Sequence, residues 1–219
     1  MNKNLTELVF ILDKSGSMAG LEEDTIGGFN TMLEKQKKED GEALITTVLF
    51  DNNYEVLHSR QDIKTVSPIT RDEYFVEGST ALLDAVGKTI LRIDKANSQT
   101  EEKERPGKVV FVIITDGMEN ASSKFGYKRI QGMIEHRKSE FSWEFLFLGA
   151  NMDAVATAAK FGIARNRAVR YKADSAGTNL NFQNVSDAIG EYRASYSRSF
   201  PDRWKDDIEK DFNERGDRK

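Results

Sequence analysis

Leu8-Val9-Phe10-Ile11-Leu12-Asp13-Lys14-Ser15-Gly16-Ser17 joins five consecutive apolar residues to a polar loop that contains a glycine. Successive side chains of a strand point to opposite sides of its sheet, so a strand spelled this way has no solvent face. It predicts a central strand over Leu5–Leu12 in a mainly parallel sheet covered on both sides. Val109–Ile114 repeats the pattern and stops at Thr115-Asp116-Gly117, and Trp143–Leu148 is a third such strand. Ala43–Phe50 is another, rich in β-branched residues. The turn Asp51-Asn52-Asn53 leads from it at once into Tyr54–Ser59. So short a connection requires an antiparallel pair, because a parallel pair needs a long crossover. Ala168–Tyr171 completes the strands.

Helical periodicity fills the intervals. Apolar stripes run through Ile26, Phe29 and Leu33 before Gly41, and through Leu82, Val86, Ile90 and Ile93. Others run through Ile130, Met133 and Ile134, through Met152, Val155 and Ala159 before Gly162, and through Val185, Ala188, Ile189, Tyr192 and Tyr196. Alternating strands and helices predict an α/β domain with right-handed crossovers and an antiparallel hairpin at one edge. There is no internal repeat and no Gly/Ser/Pro-rich linker. We take residues 1–199 as one domain. Residues 200–219 form an amphipathic extension carrying Trp204, Ile208 and Phe212, either docked on the body or binding a partner.

The balance of 32 basic and 36 acidic residues, net −4, gives no support to a nucleic-acid partner, which calls for clustered excess Lys and Arg. No apolar stretch is long enough for a membrane span, so no membrane partner is expected. The first residues show no signal-peptide core, and cysteine is absent. Both features fit a reducing, cytoplasmic setting. With no cysteine and two histidines, His58 and His136, a metal site would have to be built from oxygen. Both histidines read as surface or half-buried positions, and Phe10, Phe111, Trp143, Phe145 and Phe147 as core.

Two polar clusters stand at the carboxyl ends of the two most apolar strands: Asp13-Lys14-Ser15-Gly16-Ser17 and Thr115-Asp116-Gly117. Open α/β sheets bind ligands at that end, where the strand order reverses. A third cluster, Gly78-Ser79-Thr80, precedes the longest amphipathic stripe. Each cluster alone has an ordinary reading as a helix cap or a turn. Together they offer Asp13, Ser15, Ser17, Thr80 and Asp116, all oxygen donors. That set suits a hard divalent cation, Mg²⁺ ahead of Mn²⁺ or Ca²⁺, because hydroxyls and waters outnumber carboxylates.

Asp13-Lys14-Ser15-Gly16-Ser17-Met18, then Gly78-Ser79-Thr80, then Thr115-Asp116-Gly117 resembles the metal-ion-dependent adhesion site (MIDAS) of von Willebrand factor type A (vWA) domains. The likeness in motif and element order spans residues 5–197. It implies a Rossmann-like three-layer α/β/α fold, with a six-stranded, mostly parallel sheet and one antiparallel edge strand. By the same resemblance Ser15, Ser17 and Thr80 hold the metal, Asp13 and Asp116 act largely through water, and a partner protein supplies an acidic residue. The third loop departs from the frequent Gly-Gly-Thr but keeps its Thr. Glu119 and Asn120 resemble bacterial single-domain members; with no signal sequence, cysteine or membrane anchor, the resemblance implies an intracellular assembly or scaffolding role for a binding module that is not an enzyme.

A haloacid-dehalogenase-like phosphohydrolase also places Asp after its first strand and uses Mg²⁺. It needs a second Asp two residues on, where this chain has Ser15, and a cation for the developing charge. Lys14 alternates away from Asp13 and Ser15 and does not fill that role. No Gly-x-Ser-x-Gly elbow, Walker loop or Gly-x-Gly-x-x-Gly occurs. The remaining alternative is a vWA fold whose site holds no metal.

Overall fold

The computed structural model describes residues 1–150, 152–196 and 199–215. Strands β1 (Asn2–Asp13), β2 (Glu42–Phe50), β3 (Tyr54–Asp62), β4 (Pro106–Thr115), β5 (Glu144–Gly149) and β6 (Ala168–Arg170) form one sheet in the order β3-β2-β1-β4-β5-β6. Every neighbouring pair is parallel except β2 and β3. Helices α1 (Glu22–Lys38), α2 (Leu82–Gln99), α3 (Tyr127–Phe141), α4 (Ala154–Lys160), α5 (Ser175–Ala194) and α6 (Asp206–Arg215) complete the chain.

The unbroken apolar runs divide between two cores. From β1, Leu8, Phe10 and Leu12 face Phe29 and Leu33 of α1 and Val185 and Ile189 of α5. Val9 and Ile11 face the opposite layer, with Val86 and Ile90 of α2, Ile130 and Ile134 of α3, and Ala158 of α4. This is the alternation expected of a strand covered on both sides. Phe10, Phe111, Trp143, Phe145 and Phe147 are all buried, and Phe111 stacks on both Trp143 and Phe145. No described helix is long and apolar enough to cross a membrane.

The structure departs from the sequence reading in several places. His58 is buried on β3, its Nδ1 3.0 Å from the Thr47 hydroxyl, and burial depresses its pKa. Helix α5 stops at Ala194, and Tyr196 is fully exposed where the stripe placed it in the core. The cause is Lys108 at the start of β4. Its buried ammonium donates to the carbonyls of Tyr192, Arg193 and Ser195, drawing the chain out of the helix. Residues 197 and 198, at the far end of the vWA-like stretch, and residues 216–219 of the extension lie outside the described residues. Phe200, Trp204 and Ile208 of the extension are buried in the same cluster as Leu8 and Val185, and Trp204 Nε1 donates to the Asn166 carbonyl at 2.8 Å.

Candidate metal centre

Strand order reverses between β1 and β4: the chain leaves β1 toward β2 on one side and returns to β4 on the other. Asp13 ends β1 and Thr115 ends β4, so both polar clusters open at this switch point. The Gly78–Thr80 segment is tied to them by backbone, since Gly16 N–H donates to the Gly78 carbonyl at 3.1 Å. The five predicted residues therefore converge. Thr80 Oγ1 lies 2.8 Å from Ser15 Oγ, and Ser15 Oγ lies 3.2 Å from Ser17 Oγ. A Cβ built on Gly117 would meet Thr80 Oγ1 at 2.6 Å, Ser17 Oγ at 2.7 Å and Ser15 Oγ at 3.4 Å. The three hydroxyls thus converge on Gly117, and a glycine is required there.

The two carboxylates differ in their surroundings. Asp13 is wholly buried, with Oδ1 accepting from Ser15 N–H at 2.7 Å and Oδ2 from the Thr115 hydroxyl. Burial pushes its pKa up to about 6 against those hydrogen bonds, and the neighbouring Asp116 adds to the rise. Asp116 is also buried and raised, again chiefly by burial, with a Ser17 hydrogen bond working the other way. Its Oδ1 has no hydrogen-bond partner within the protein. A buried, unbonded carboxylate oxygen costs free energy unless something outside the chain satisfies it. Beside three hydroxyls, a hard cation with its waters is chemically suited to do so. Among the described residues no three His, Cys, Asp or Glu side chains cluster as a metal-holding group.

The ordinary reading of these residues as caps fails for Thr80. Helix α2 begins at Leu82 with Ala81 as its N-cap and no side-chain capping bond from that residue. Its free N–H groups are satisfied by the loop after β4: Leu83 N–H donates to Glu119 Oε2 at 2.8 Å and Asp84 N–H to Ser122 Oγ at 3.0 Å. Thr80 itself is held from both sides by Asn120, whose Oδ1 accepts from Thr80 N–H at 2.9 Å and whose N–H donates to the Thr80 carbonyl at 3.0 Å. Sequence reasoning noticed Glu119 and Asn120 by resemblance and missed these roles. The loop is aperiodic, so its sequence carries no pairing signal. Thr115 and Tyr74 were missed as well. The buried Tyr74 hydroxyl donates to the Asp13 carbonyl at 2.6 Å.

Lys14 turns away, with Nζ 3.2 Å from Glu55 and 4.3 Å from the centre of the Phe75 ring. Among the described residues, no Lys or Arg side chain bonds to any of the five donors. Ser17 is exposed, and Met118, which follows Gly117 in the chain, is 71% exposed, so the centre opens to solvent.

No protein-family profile and no curated protein matches the sequence. Solved structures do. Proximal thread matrix protein 1 from the mussel byssus, in a structure with a zinc-occupied MIDAS motif, superposes with a TM-score of 0.57 at 14% identity, over 87% of this chain and 47% of that one. The manganese-loaded TRAP protein of Plasmodium vivax gives 0.57 at 15% identity, over 82% and 73%. A von Willebrand factor type A protein from Catenulispora acidiphila gives 0.53 at 15% identity, over 85% and 42%. The chain spans less than half the length of the mussel and Catenulispora proteins. Identities this low establish architecture and nothing finer: the chain carries the von Willebrand factor type A fold.

Proposed function

We propose that the chain is a divalent-metal-dependent protein-binding module whose centre captures an acidic residue of a partner protein, in an intracellular assembly or scaffolding role. The observation that carries this reading is the convergence of three hydroxyls on Gly117, next in the chain to Asp116 with its unbonded buried oxygen. Ser15, Ser17 and Thr80 would hold the cation, with Asp13 and Asp116 supporting it largely through water. Two carboxylates balance the charge of a divalent ion, so an incoming Asp or Glu finds an electrophile without excess negative charge around it. When bound, the metal supplies an open coordination position for that carboxylate. Mg²⁺ suits the hydroxyl-rich set, with Mn²⁺ and Ca²⁺ as alternatives.

Catalysis finds little support in the same geometry. A dehalogenase-type hydrolysis lacks its second Asp at Ser15, and the nearest cation, Lys14, is committed to Glu55. The buried His58 sits on the edge strand against Thr47, away from any nucleophile at the centre.

Titration calorimetry of Mg²⁺ and Mn²⁺ into chelator-treated protein tests the reading, with Asp13→Ala/Ser15→Ala as control. Saturable one-site binding that the double variant loses is expected. Identical heats from both proteins would leave a vWA fold that recognises partners without metal.

A further inference from the structure

We propose that the groove between α2 and the open edge of β3, where Lys88, Arg92 and Lys95 line one wall and Arg60 the floor, is a second docking surface for an acidic peptide segment in extended conformation. It lies apart from the metal centre and goes beyond the function proposed above.

The groove carries a local excess of positive charge. The chain is net acidic at −4, yet a groove of about 560 Å³ is lined by four cations and no carboxylate. Of the carboxylates nearby, Glu55 pairs with Lys14 and Asp94 with Arg137, while the buried Glu7 pairs with Arg60 itself and Asp84 feels the charge of Lys88. Lys88, Arg92 and Lys95 have no ion-pair partner among the described residues. Lys88 is half-buried over the Tyr54 ring, at 5.1 Å from its centre, and Arg92 reaches the Ser59 hydroxyl at 3.4 Å. These contacts orient both cations along the groove without neutralising them.

The backbone beside the cations favours a peptide over another polyanion. Among the described residues β3 pairs with β2 alone, so its outer N–H and C=O groups face away from the sheet. Pairing is regular where Tyr54, Glu55 and Val56 oppose Phe50, Leu49 and Val48, and becomes irregular between Val48 and Ile45. Tyr54–Leu57 is therefore the stretch able to accept an added strand. Lys88 and Arg92 stand one helical turn apart, a rise of about 6 Å. Alternate residues of an extended strand repeat at about 6.8 Å, so acidic side chains at every second position match the cations. The residues between them point to the other face of the sheet, the side on which Leu57 packs.

The test uses a fluorescein-labelled peptide of four Glu-Val repeats, titrated by anisotropy against the full chain in chelator at low salt. Chelation keeps the outcome independent of the metal centre. Saturable binding that weakens with salt is expected, at least tenfold weaker in Lys88→Glu/Arg92→Glu/Lys95→Glu, with new hydrogen-exchange protection at Tyr54–Leu57. Should the triple reversal fail to fold, the triple Gln variant replaces it, with a loss of several-fold expected. Absence of saturable binding, or equal affinity in folded variants, overturns the proposal. So does tighter binding of a single-stranded oligonucleotide of equal charge. A dimer in sedimentation that the same variant dissolves would assign the groove to a second copy and overturn it too.

Discussion

A methyl group on residue 117 would stand 2.6 Å from Thr80 Oγ1 and 2.7 Å from Ser17 Oγ. Neither oxygen can retreat without leaving the centre. Gly117→Ala is therefore expected to lower Mn²⁺ affinity by about tenfold or more and also to cost about 1–3 kcal/mol of stability without metal, because Thr80 Oγ1 is buried. Isothermal titration beside thermal melts in chelator separates the two effects. Asn120 offers a companion test, since it touches the centre only by holding Thr80. Asn120→Ala should weaken metal binding by about tenfold, and Asn120→Asp, which keeps the accepting oxygen, should largely restore it. Equal affinities in Asn120→Ala and the parent would show that Thr80 needs no such support. The convergence of Asp13, Ser15, Ser17 and Asp116 was legible because they follow apolar strands, and that of Thr80 because it precedes the longest amphipathic stripe in a fixed chain order. The roles of Asn120, Thr115 and Tyr74 were not, because each supports the centre through hydrogen bonds that leave no mark on periodicity.

The strands were the most legible elements. Burial on both faces writes itself into Leu8–Leu12, Val109–Ile114 and Phe145–Leu148 as runs that no amphipathic helix would show. Helix ends were harder to read. The stripe through Tyr192 predicted burial for Tyr196, but the helix is terminated by Lys108, a residue 84 positions upstream of Tyr192. No local cap residue announces such a stop. Lys108→Met should remove these three bonds and destabilise the fold by about 1–3 kcal/mol, the cost of losing hydrogen bonds from a charged donor. Urea unfolding checks this. The contact between α1 and α5 makes a separate prediction. A Cβ on Gly28 would lie 2.3 Å from Cδ2 of Phe182, which is itself 2% exposed. Ala is the better helix former by about 1 kcal/mol, yet overpacking costs about 1–3 kcal/mol. Gly28→Ala should therefore lower the urea midpoint, and a raised midpoint would show that α5 can slide.

Across the whole molecule, Glu7 couples stability to pH. It lies in the middle of the sheet with no exposed surface, and burial lifts its pKa from 4.5 to about 7 against the pull of Arg60. Between those values the folded chain binds a proton that the unfolded chain has released, so stability falls as pH rises from about 4.5 through about 7 and levels off above. Glu7→Gln removes that term. The difference between parent and variant should grow in favour of the variant across the window, reaching about 2–3 kcal/mol at pH 8. Chemical denaturation at pH 5 and pH 8 measures it, and parallel curves for the two proteins would remove Glu7 as the cause. Nothing in the sequence marks Glu7 as unusual, because at the head of an apolar strand a Glu reads as the solvent-facing start.

The way Ser15, Thr80 and Asp116 are brought together also governs folding kinetics. Sequence separations of 65 residues between Ser15 and Thr80, and 102 between Asp13 and Thr115, mean that no short stretch of the chain holds the full donor set. An unfolded chain offers a cation only scattered ligands, and the full set exists only once β4 has docked beside β1. Mg²⁺ should thus leave the refolding rate nearly unchanged and act on the unfolding limb of the chevron, lengthening the lifetime of the native state as its concentration rises.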